Sequence, residues 1–89
     1  MFDNDKFDEA VKAIKHERQY QERVWPRSTK LPTTGEIMLI EDYLRQFKQH
    51  YQEEDDAPQH DVPEKCLHDL RKIGALVIRA MENSGAVRR

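Results

Sequence analysis

The sequence predicts an all-α protein: three amphipathic helices forming a three-helix bundle, or a helical hairpin plus an N-terminal helix, and assembling as an oligomer. Three observations carry this expectation. Apolar residues recur at three- and four-residue steps in three separate stretches. Prolines and capping residues mark the boundaries between those stretches. The apolar arc of the third stretch is wider than one neighbouring layer can cover.

The first helix is expected over about 5–24, with Asp3 or Asn4 as N-cap. Phe7, Ala10, Val11 and Ile14 share one face. Pro26 ends the helix, because the residue before a proline disfavours the α region. The second is expected over about 34–53. Thr33 and Glu36 match a capping box, and Ile37, Ile40, Leu44, Phe47 and Tyr51 then repeat at helical spacing, with Leu39 and Tyr43 widening the stripe. The third is expected over about 62–83, with Asp61 and Glu64 as a capping pair and Pro63 in its first turn. Cys66, Leu67, Leu70, Ile73, Leu76, Val77, Ala80 and Met81 spread over roughly 200° of its circumference. One packed layer needs only about 100°. In so short a chain, that surplus predicts a second copy on the other side.

Composition bounds the function classes. The 89 residues make one domain, which buries only about 60–65% of its unfolded surface, so association is an obvious route to stability. A net charge of −2 argues against a general nucleic-acid binder. The single cysteine, Cys66, forms no intrachain disulfide and suits a reducing cytoplasm. No apolar run approaches the roughly 20 residues that cross a bilayer, and the acidic N-terminal stretch is unlike a signal peptide. No glycine-rich phosphate loop, paired CxxC, HExxH, GxSxG or internal repeat is present.

Polar residues on apolar faces supply the candidate site. The stripe of the first helix continues onto Glu17, Arg18 and Gln21 before it resumes at Trp25. Either the helix overhangs its partners there and these side chains meet water, or they line a shared cavity, since a buried charge requires a partner or a ligand. Glu36 projects into the apolar arc of the second helix, where it caps the helix end, or instead holds a metal ion or accepts hydrogen bonds from a base. Glu64, His68, Arg71, Lys72 and Arg79 lie together on the third helix, either as a solvated face or as phosphate contacts. Tyr20 and Trp25 have faces on which a base stacks. Cys66 falls in the apolar arc as a core residue.

The order ERQYQERVWP, TTGEIMLIEDYL and EKCLHDLRKIGALVIRAMENSGA resembles small phage- and prophage-encoded helical proteins grouped loosely with the MazG-like all-α nucleoside triphosphate pyrophosphohydrolases. The similarity covers roughly residues 13–87. It implies an all-α oligomer of the bacterial host cytoplasm, with a nucleotide site between helices. The family's enzymes carry ExxE and ExxD pairs that hold Mg²⁺. Here the nearest acidic pairs, Glu36 with Glu41 and Glu64 with Asp69, are five apart, so their directions diverge by about 140°.

The leading expectation is therefore a homo-oligomer that binds a nucleotide, linear or cyclic, without turnover and without a cofactor; sequestering a host defence signal would be its use. Arg18, Arg23, Arg27, Arg71 and Lys72 hold phosphate in this reading, while Tyr20 and Trp25 stack on the base, with Gln21, Glu36 and His68 beside them. A Mg²⁺-dependent pyrophosphohydrolase using Glu36, Glu41, Glu64 and Asp69 is one alternative. A protein–protein adaptor is the other.

Overall fold

A computed structural model describes residues 1–25, 33–53 and 62–89, with the side chain of Thr33 outside the described set. Three helices of 21 residues each account for most of it: α1 (Asn4–Val24), α2 (Thr33–Glu53) and α3 (Glu64–Ser84). No strand occurs among the described residues. The Thr33 capping box, the Asp61 cap and Arg27 lie outside that set.

Local chemistry sets the helix ends. Asp3 is the N-cap of α1, and its Oδ1 accepts from the Lys6 N–H at 3.1 Å. Trp25 leaves the helix at φ −125°, ψ 82°, with its N–H still on the Gln21 carbonyl at 2.7 Å. The third helix begins two residues later than its apolar pattern predicts, because Pro63 takes the N-cap position at φ −55°, ψ 146°. It ends at Gly85, whose φ of 109° costs an L side chain but not a glycine.

α3 is the central element and packs against both α2 and α1. With α2 it makes an antiparallel hairpin: the Cys66 thiol donates to the Phe47 carbonyl near one end, and Asn83 Nδ2 donates to Glu36 Oε1 at the other. Near the first of these contacts, His50 Nδ1 and Asp69 Oδ2 lie 2.6 Å apart, with Asp69 buried. α1 crosses α3 at Gly74. A Cβ there would sit 2.8 Å from Ile14 Cδ1, so the absent side chain permits the close approach.

The apolar core is small. Among the described residues, only Cys66, Ala75 and Leu76 are fully buried apolar residues. Much of the wide α3 arc stays at the surface of the single chain, including Leu67, Leu70, Val77 and Met81. Every residue of α1 before Ile14 is exposed, so this half of the helix projects beyond the crossing. The radius of gyration of 14.6 Å accordingly exceeds the about 12 Å of a compact domain of this length.

Candidate functional site

The part of α1 that packs is its polar break. Glu17, Arg18 and Gln21 are all buried, together with Glu36, Asp69 and Arg79. They do not overhang into water; partners on α3 explain why they are tolerated inside. Arg71 Nε donates to Glu17 Oε1 at 2.7 Å. Arg18 Nη2 lies 2.6 Å from Glu82 Oε2 and 2.9 Å from Glu22 Oε2. Burial works against the Arg18 charge, but the hydrogen bonds to Glu82 and Glu22 outweigh it and hold the guanidinium above its ordinary value. Arg79, itself buried, has Nε 3.3 Å from Glu36 Oε1 and donates from Nη1 to the Trp25 carbonyl at 3.4 Å. That last bond fixes the end of α1 on the middle helix.

Beside these pairs lies a cavity of about 240 Å³, lined by Glu17, Tyr20, Gln21, Val24, Trp25, Tyr43 and Lys72. All three helices contribute to it. Lys72 Nζ sits 5.5 Å from the Tyr43 ring centre, a cation–π contact that places the ammonium at the wall. Burial, then the charges of Glu17 and Asp69 and the neighbouring Tyr20, pushes the Tyr43 phenol above its ordinary value, so it stays a neutral donor. Gln21 is 3% exposed. Its Nε2 donates to the Lys72 carbonyl at 3.5 Å, while its Oε1 is buried with no partner among the described residues. Gln21 lines the cavity, and a ligand donor that reached its orphaned Oε1 would satisfy it.

The structure gathers four of the residues singled out in the sequence at this cavity: Tyr20, Gln21, Trp25 and Lys72. Arg71 stands next to it through Glu17, with His68 accepting from its Nη1. Arg23 is exposed, 5.9 Å from the Tyr20 ring centre. Two residues lie elsewhere. Arg18 lines surface grooves with Glu82, and Glu36 is bound to Arg79 and Asn83. The sequence placed Tyr43 in the apolar stripe of α2, and Glu17 among the break residues that either meet water or line a cavity, without assigning either a ligand contact. Pairing the break with the nearest polar-tipped aromatic on α2 is the signal that would have found both.

Of the acids a pyrophosphohydrolase would use, Glu36 pairs with Arg79, Asp69 faces His50, and Glu41 and Glu64 are exposed. Among the described residues no group of three or more His, Cys, Asp or Glu side chains is placed to hold a metal ion. No helix of the described residues is long and apolar enough to cross a membrane.

Fold and cavity thus define a class: a small all-α protein with a polar, aromatic-walled cleft between three helices. No protein-family model matches the chain, and comparisons with curated proteins and with solved structures find no match.

Proposed function

We propose that the protein binds a nucleotide or nucleotide-derived signal in the Tyr20–Trp25–Tyr43 cavity and holds it without turnover. One observation carries the reading: a cavity lined by three aromatic side chains, a lysine, and a glutamine whose buried Oε1 has no partner among the described residues. Aromatic faces accept a base by stacking. Gln21 Oε1 and the Glu17 carboxylate are acceptors for ring N–H or exocyclic amino groups, and Lys72 supplies positive charge for phosphate. In this assignment Lys72, with Arg23 outside Tyr20, takes the phosphate role; Arg18 and Arg71 support the wall through Glu82 and Glu17. Glu36 on Arg79 and Asp69 on His50, with Glu41 and Glu64 at the surface, favour capture over Mg²⁺-dependent hydrolysis. Sequestration of a host defence signal in a bacterial cytoplasm is the use that the resemblance to phage proteins suggests.

Isothermal titration of the full chain against linear and cyclic nucleotides is the test. Saturable heat from at least one of them, lost in Tyr20→Ala and in Lys72→Ala, is expected. Absence of heat throughout the panel refutes the proposal.

A further inference from the structure

We propose that the projecting half of α1 is the contact surface for a second copy of this chain, which lies antiparallel to it about a two-fold axis at Val11. Three observations meet here. Phe7 and Val11 are 51% and 45% exposed, on the same helix face that further along packs against α3. That stripe runs directly into a groove of about 380 Å³ between α1 and α3, whose apolar walls are Val11, Ile14 and Ile78. Phe2 packs on Phe7, ring centres 5.2 Å apart, so the exposed aromatic is a two-ring knob at one end of a stripe whose other end is the groove. Knob and groove on one surface make it self-complementary, as a two-fold interface demands.

Charge fixes the direction. Asp8 and Lys15 are seven residues apart, which puts both on one flank of the stripe, and both are exposed. An antiparallel pair centred at Val11 brings Phe7 of one helix within one residue of level with Ile14 of the other. It brings Asp8 equally close to Lys15, and each contact occurs twice. In-register parallel pairing would instead leave this flank and its copy on opposite sides of the seam, where Asp8 and Lys15 do not meet. The acidic first turns and the basic later turns of α1 thereby become complementary patches of one interface.

Sedimentation velocity at micromolar concentration tests the contact. The wild-type chain is expected to run as a dimer or a multiple of one. Val11→Glu should halve the assembly mass with the helical circular dichroism retained, since Val11 is 45% exposed in the single chain. Asp8→Lys or Lys15→Asp alone should each raise the dissociation constant about tenfold, because each removes two exposed pairs. The double reversal Asp8→Lys/Lys15→Asp, which does not alter the apolar stripe, should restore it. Val11→Cys in a Cys66→Ser background should oxidise to a disulfide-linked dimer. A monomeric wild type, an unchanged mass in Val11→Glu, or a double reversal weaker than either single change would each overturn the proposal.

Discussion

The two halves of α1 invert the usual rule of burial. Its first half carries Phe7, Ala10 and Val11 and lies in water; its second half carries Glu17, Arg18 and Gln21 and lies inside. Hydropathy alone would reverse the two. The difference lies on α3. At the crossing, Gly74 lets the backbones approach, and Arg71, Arg79 and Glu82 are placed to meet the α1 end, its carbonyl and its charges. Beyond the crossing, among the described residues, the apolar half meets only the α3 side of a groove at Ile78 and is otherwise exposed. Position relative to a partner helix, more than side-chain polarity, decides which half of this helix is interior. Two consequences follow. A polar interior creates a cavity with hydrogen-bonding walls, and an apolar exterior is left to assemble.

The sharpest way to break the comparison is to remove the cation that secures the polar half. Arg79→Ala leaves Glu36, which is fully buried, without its ion pair, and should cost about 3–5 kcal/mol in urea unfolding. A Glu36→Leu/Arg79→Met double change should recover most of that loss, since a buried pair is often no better than apolar side chains of similar volume. If Arg79→Ala costs less than about 1 kcal/mol, the buried pairs do not hold the helices as described.

Next in size is the crossing itself. Gly74→Leu would drive a side chain into Ile14 and should destabilise by about 1–3 kcal/mol, the usual cost of overpacking. Amide hydrogen exchange should then speed up over the second half of α1 more than over α2.

The apolar half gives the contrasting result. Phe7→Ser should change the unfolding free energy of the monomeric chain by no more than about 0.5 kcal/mol, as for any exposed site. A larger loss would mean that the projecting half is part of the fold.

The smallest expected effect is a pH dependence. The folded chain holds the Tyr43 proton more tightly than the unfolded chain does, so this contribution to stability is present below about pH 10 and is lost as pH rises through the raised value. Urea midpoints of the wild type should fall between about pH 9 and pH 11 more than those of Tyr43→Phe. Equal slopes would remove Tyr43 from the interior wall.

How much of this could be seen in the sequence differs between fold and site. The three helices were visible because their apolar repeats and most of their ends are local: Asp3 capping the first turn and Pro26 after Trp25; the Gly85 stop of α3 was not read. The polar break in α1 was visible too, as a periodicity fault. Its direction was not, because whether Glu17 faces water depends on Arg71, 54 residues away. The same limit hid Tyr43, whose period fits the core of α2 although its side chain forms part of the cavity. It also placed Arg18 with the phosphate ligands, where Glu82 claims it. Long-range pairing of charges leaves no periodic trace.

Trp25 is the only tryptophan and lines the cavity, so its fluorescence reports directly on the central claim that the buried polar half of α1 forms a ligand site. Titrating the full chain with each member of a nucleotide panel should give a saturable change in Trp25 emission for at least one of them. Gln21→Leu, which removes the orphaned Oε1 together with the long 3.5 Å bond to the Lys72 carbonyl, should stay close to the wild type in urea midpoint and lose that change. Emission that stays flat for every nucleotide, or binding that survives unaltered in Gln21→Leu, would contradict the account.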